Sequence, residues 1–216
     1  MTTKKVKIEA PKIPNYLEPY ALSDYELGDE QIITDRIFQD SEINNQTAFK
    51  VCFDRVKFVN VNFRGTSLRK TEFTDVVFDN CDLSNIDFAE SVFHRVTFHQ
   101  CKLLGMDFSE ATLRNMVFDK CYADYSVFRF VNAKQVKFVS SSFAKADFFK
   151  MTLLNLNFDE TKLDQAQFSQ TKLNGIDLSS CEFDSLGASL EDLQGCIISP
   201  EQASVFAGLF GLVVKR

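Results

Sequence analysis

The chain repeats with a period of five residues, and the period does not slip from Phe38 to Ile198. Over that span every residue whose number ends in 3 or 8 is Phe, Leu, Ile or Ala. There are 33 such positions, 18 of them Phe and 9 Leu. A random scatter of the 23 Phe would put only about five in any one class modulo five. We take this residue as the centre of each five-residue unit. The residue two before each centre forms a second class. From Val51 to Leu186 its 28 members are Val, Ile, Leu, Met, Ala, Cys, Ser or Thr, and none is charged. Arg36, Gln46 and Glu191 break this class only at the ends. The other three positions hold nearly all the charged and amide side chains.

A period of five matches neither a helix of 3.6 residues per turn nor a strand of period two. It matches a coil with short sides that turns a corner every five residues. Two residues per side point inward, one large and one small, and three face solvent or make the corner. Stacked coils bury one continuous column and satisfy backbone groups between coils. Neighbouring coils are expected about 4.8 Å apart.

These residues resemble the pentapeptide-repeat family over about three quarters of the chain. Cys81-Asp82-Leu83-Ser84-Asn85, Ala111-Thr112-Leu113-Arg114-Asn115 and Ala146-Asp147-Phe148-Phe149-Lys150 look like its units. The resemblance implies an all-β fold, a right-handed quadrilateral parallel β-helix with four units per coil. The 33 units then make roughly eight coils and a rod about 40 Å long. Cys81, Cys101 and Cys121, spaced by 20, fall on one side in successive coils.

Three regions follow: residues 1–32 as an N-terminal tail or cap, 33–198 as the repeat, and 199–216 as a C-terminal module. Pro11, Pro14 and Pro19 punctuate the first region, and Lys5–Glu9 alternates like a short strand. In the last region Ser199 suits an N-cap, Pro200 the first helical position and Gln202 a capping box. Gly211 suits the helix stop. Leu212, Val213 and Val214 read as a strand. With Phe206, Leu209 and Phe210 they form more apolar surface than one coil end hides, which predicts a homodimer interface.

Composition excludes several functions. With 45% hydrophobic residues, disorder throughout is excluded. There is no run of 18 apolar residues to span a membrane and no apolar leader after Met1, so we expect a cytoplasmic protein. No CxxC pair is present, and five of the six Cys (81, 101, 121, 181 and 196) lie in the small inward class as core filler. His94 and His99 each follow a centre and are expected to face solvent. No nucleotide or hydrolase motif occurs, and a filled rod has no cavity for a small molecule. We expect no enzyme, no cofactor and no metal. A net charge of −6 argues against direct nucleic-acid binding.

The acids are grouped. Residues 72–192 carry 19 acidic and 11 basic side chains. With a 20-residue coil, Asp87, Asp107 and Asp147 precede centres on one side, with Glu90 and Glu110 at the corner beside them. Asp79, Asp119 and Asp159 follow centres on another side. Duplex DNA over the same length, about 29 Å, carries about 17 charges, and the net charge of this segment is about half of that. The layout further resembles the Qnr group, which protects DNA gyrase and topoisomerase IV from quinolones. Asp192-Leu193-Gln194-Gly195 followed by Gln202-Ala203-Ser204, and the helix-and-strand ending, carry that resemblance. The array has no loop insertions, unlike many plasmid-borne Qnr proteins. The resemblance implies a dimeric DNA mimic that binds a type II topoisomerase through these acids. The alternative is a scaffold for another protein partner.

Overall fold

The computed structural model describes residues 7–20, 26–209 and 211–214, Leu209 by its backbone only. The chain winds as a four-sided parallel β-solenoid of about eight turns. Each residue pairs with the one 20 positions later, so four units do close one coil. Short strands β1 (Glu18–Pro19), β2 (Ile32–Thr34) and β3 (Arg36–Gln39) open the stack. Six eight-residue strands follow: β4 (Cys52–Val59), β5 (Glu72–Asp79), β6 (Val92–His99), β7 (Thr112–Asp119), β8 (Asn132–Val139) and β9 (Thr152–Asp159). Each long strand spans two adjoining sides, face A (residues 51–55, 71–75 and onward by 20) and face B (56–60 onward). Face C (61–65 onward) and face D (66–70 onward) are turns joined between coils by single bridges. Strands β10 (Ala166–Gln167) and β11 (Leu186–Gly187) pair in the last coils.

Both inward classes lie where the pattern puts them. Phe53, Phe58, Phe63, Phe73, Phe78, Phe88, Phe98, Phe108 and Phe118 are all 1% exposed or less. Rings 20 residues apart stack at 4.6–5.2 Å on the strand sides, as for Phe73–Phe93 and Phe98–Phe118. Ser, Thr and Cys are tolerated in the small inward class for a specific reason. Most of their hydroxyls and thiols donate to the carbonyl 23 residues earlier, as Ser91 does to Leu68 and Cys101 to Phe78, whereas Thr71 and Ser126 stay buried without a partner. A buried polar group with a partner avoids its desolvation penalty.

The corner is made by the residue two after each centre. From Glu30 to Gln170 this class adopts a left-handed conformation, φ near 45–62° for every non-glycine member. Gly105, with φ 65°, leaves room for its neighbour: a Cβ there would stand 2.5 Å from Asn85 Oδ1, and that side chain would have to shift.

Three features depart from the expectations. Residues 7–14 are neither strand nor free tail; they run along the side of the rod, as described below. (Lys5 and Val6 lie outside the described residues.) The last coil is interrupted by a helical turn, α1 (Leu190–Leu193), where Ser189 and Asp192 form a capping box. The centre Leu193 is consequently only half-buried, and Asp192, in an outward class, is 3% exposed. Helix α2 (Ala203–Leu209) follows, and Ser199 and Gln202 exchange the capping-box bonds. Gln202 also donates to the carbonyls of Leu178 and Cys181, both at 2.8 Å, which ties α2 to the coil end. The predicted strand Leu212–Val214 is not formed; no strand among the described residues pairs with it.

Candidate partner-binding surface

The rod is filled, so function falls to its outer surface. Asp87, Asp107 and Asp147 do stack on face D, with Val127 between the last two. Each has a backbone role. Its Oδ1 accepts the N–H two residues on: Ala89, Ser109 and Phe149 at 2.7–3.0 Å. Asp is favoured there because this bond builds the turn. Glu90 and Glu110 stand exposed at the corner between faces D and A. Asp79, Asp119 and Asp159 lie on face B in alternate coils.

What the linear sequence hid is the partner of each acid. Arg69 reaches both Asp87 and Glu90, and Lys70 also reaches Glu90. These hydrogen bonds hold the Glu90 carboxyl below its ordinary pKa. Arg129 pairs with Asp147 at 2.6 Å, Lys57 with Asp79, and Lys137 with Asp159. His99 Nδ1 sits 2.8 Å from Asp119, so this histidine is engaged rather than simply solvated. Six of the eight candidate acids therefore have an intramolecular cationic or histidine partner. Asp107 and Glu110 have none among the described residues. From residue 66 on, face D holds Arg69, Lys70, Arg129 and Lys150 against Asp87, Glu90, Asp107, Glu110 and Asp147, and so is close to charge balance.

Face A carries features that reasoning from the pattern missed. The N-terminal strap crosses it. Glu9 N–H donates to Asn115 Oδ1 at 3.1 Å and Lys12 N–H to Asp75 Oδ1 at 2.8 Å. Gln135 Nε2 donates to the carbonyl of Lys7 at 3.0 Å. Asp75 also takes two bonds, of 2.6 and 2.7 Å, from Arg95. Asp75 and Asn115 are only 5% and 7% exposed, although their class is outward. His94 lies beside Arg95; burial first, and then that guanidinium, lower its pKa. At the N-terminal end β1 pairs with β3, and Tyr20 packs on Phe38 at 4.6 Å, capping the first coil. No local signal marks the strap, because its contacts span up to 128 residues.

Other exposed groups cluster in mid-rod. Tyr122, Tyr125 and Phe130 are 69%, 55% and 49% exposed, and Phe130 meets Phe149 edge-on at 5.6 Å. At the C-terminal end Phe206 is buried against Phe183, so it seals the coil rather than facing outward. Leu212, Val213 and Val214 are exposed, at 63%, 89% and 50%. Phe210 and the Leu209 side chain lie outside the described residues. Leu190, Leu193, Cys196, Ile198 and Phe206 line an open apolar groove of about 530 Å³ beside α2. Four of the six cysteines are buried, and among the described residues no group of His, Cys, Asp and Glu is placed to hold a metal. No helix among them is long and apolar enough to cross a membrane.

A four-sided parallel solenoid built from five-residue units and filled by its inward side chains defines a repeat protein. A family model described as "Pentapeptide repeat region" matches residues 91–168, and one described as "Pentapeptide repeats (9 copies)" matches residues 58–102. The chain is 38% identical over 210 residues to YisX of Bacillus subtilis (strain 168), covering 97% of this chain and 99% of that protein. The chain belongs to the pentapeptide-repeat family. Its fold is similar to that of QnrB1, a plasmid-mediated fluoroquinolone resistance protein. That match has a TM-score of 0.53 and 20% identity, over 86% of this chain and 99% of QnrB1.

Proposed function

We propose that this protein is a non-catalytic repeat rod that binds a type II topoisomerase, DNA gyrase first and topoisomerase IV second, in competition with DNA. The observation that supports it is a filled rod without projecting loops before its last coil, in the fold of QnrB1, which leaves its outer surface for function. A cytoplasmic location goes with this reading. Contact through acids starts at Asp107 and Glu110, whose carboxylates have no cationic partner among the described residues. Asp87, Glu90, Asp147, Asp79, Asp119 and Asp159 must exchange an intramolecular partner to take part. Mimicry of DNA in this chain is therefore local rather than a continuous anionic stripe. Such a contact gives a moderate salt dependence, less steep than that of duplex DNA.

The same reading makes the active species a homodimer joined at the C-terminal ends. Exposed Leu212–Val214 and the neighbouring apolar groove support it, since a strand and groove from a second copy satisfy both. Light scattering then gives twice the monomer mass of 24.6 kDa at micromolar concentration.

The deciding experiment is gyrase supercoiling and quinolone-induced cleavage with the purified protein titrated in. Inhibition, or fewer drug-induced breaks, at low micromolar protein supports the reading. A second reading, a scaffold for another protein, draws on the charge balance of face D. It replaces the first if neither gyrase nor topoisomerase IV responds.

A further inference from the structure

The corner class from Glu30 to Gly175 is polar or glycine at every position but two, Tyr125 and Phe130. These two stand at successive corners, φ 60° and 59°, and so bracket one segment of face D. Left-handed backbone suits Gly and Asn and is least favourable for bulky side chains. Two exposed aromatics there cost stability without filling the core, the pattern expected where a surface is kept for contact. Tyr122 on face C and Phe149 on face D extend the cluster. Lys145 lies over the Tyr125 ring at 5.0 Å, Lys150 over Phe130 at 5.6 Å and Arg129 over Phe149 at 5.7 Å. Each of these exposed cations lies against a ring, and Arg129 also pairs with Asp147. The two unpaired acids adjoin directly: Asp107 pairs in the sheet with Val127, and Glu110 sits one coil below Phe130 on the same corner.

We infer that the mid-rod segment of face D, Tyr125 to Phe130 with Phe149, Asp107 and Glu110, is the protein's main contact site. The partner it fits is a folded protein surface bearing Arg and Lys around an apolar recess. The Asp107 and Glu110 carboxylates recognise such cations, Arg above all, and the rings, already met by Lys145, Lys150 and Arg129, supply the apolar contact. Phosphates of a nucleic acid are opposed by Asp107, Glu110 and the neighbouring Asp124, whose carboxylate likewise has no cationic partner among the described residues. The inference rests on the topoisomerase reading and names its contact. Rings and acids divide the work: desolvated aromatics govern dissociation, and acids govern the salt-dependent encounter.

The test uses full-length protein and purified DNA gyrase holoenzyme in a real-time binding assay. Tyr125→Asn with Phe130→Asn places in both corners a residue the rod already uses at Asn80, Asn85 and Asn115. Its melting temperature is expected to equal or exceed that of wild type. Dissociation should quicken at least about tenfold, with association changed by less than about twofold. Phe149→Ser, on ordinary backbone, is the second variant and should shift in the same direction. Asp107→Asn with Glu110→Gln should instead slow association and flatten its salt dependence. Leu154→Asn, exposed on face A, should leave both rates unchanged. If wild type binds gyrase and both aromatic variants stay within about twofold of it, the inference is overturned while the function stands. If wild type does not bind gyrase, both fall.

Discussion

Replacing Asp75 by Asn probes the strap and the rod wall together. Asp75 is 5% exposed, and the Arg95 side chain facing it is 13% exposed. Asn keeps the volume and the left-handed corner, but removes the charge and turns an NH₂ toward the guanidinium. Removing one partner of a buried ion pair costs about 3–5 kcal/mol when the other is left uncompensated. Arg95 retains some access to water, so we expect the low end of that range, about 3 kcal/mol. The effect has a pH signature. Burial pushes the Asp75 carboxyl up, but hydrogen bonds from Arg95 and from Lys12 N–H outweigh it, and the net pKa lies below the ordinary value. A depressed pKa contributes stability in full above the unfolded value, about 3.9, and loses it as pH falls through the folded value. Urea unfolding of wild type and Asp75→Asn should therefore differ by about 3 kcal/mol at neutral pH, and the difference should shrink as pH falls below the ordinary carboxylate range. Hydrogen exchange at the Lys12 amide should quicken in the variant at neutral pH. A difference below about 1 kcal/mol at neutral pH, or one that persists unchanged in acid, refutes the account of Asp75 as the strap's anchor.

Three further outcomes are expected. Phe108, 0% exposed among Phe88, Phe93 and Phe128, should lose about 3–5 kcal/mol on change to Ala, read by chemical unfolding. Gln202→Ala removes the side-chain donor from the Cys181 carbonyl at the coil end, while the Leu178 carbonyl keeps the Cys181 N–H. It should cost about 2 kcal/mol and make α2 sensitive to limited proteolysis while the rod stays resistant. Burial raises the Cys181 thiol to about 12 and the Cys196 thiol to about 11. Both should resist a thiol reagent at pH 8 until urea is added; fast labelling of native Cys181 would show the last coil to be open.

The acidic columns show how far a pattern carries. Asp87, Asp107 and Asp147 were placed on one side correctly, because the 20-residue coil fixes who stands above whom. Their electrostatic character was not legible. Arg69 is 18 residues from Asp87 and 21 from Glu90, and Arg129 is 18 from Asp147, so each cation reaches across a coil boundary to an acid of the next coil. Counting charge along the chain overstates an anionic face that ion pairs have largely neutralised. Asn115 shows the same limit. Its class is solvent-facing, and only the strap above it makes it buried.

By itself the sequence determined the period, the two inward classes and the register, because each unit repeats the same local choice of large, small and polar residue. A slip of one residue would turn the Phe and Leu of every centre outward, so the pattern admits one winding. It also determined the Ser199–Gln202 cap, a contact between near neighbours. Tertiary structure alone decided the path of residues 7–14, the partners of the carboxylates, the helical turn at Leu190–Leu193 and the exposure of Leu212–Val214. Those depend on what other parts of the chain bring alongside. No repeat specifies that, since the repeat encodes how each coil meets the next, whereas these features are settled where the stack ends or where a distant segment lies across it.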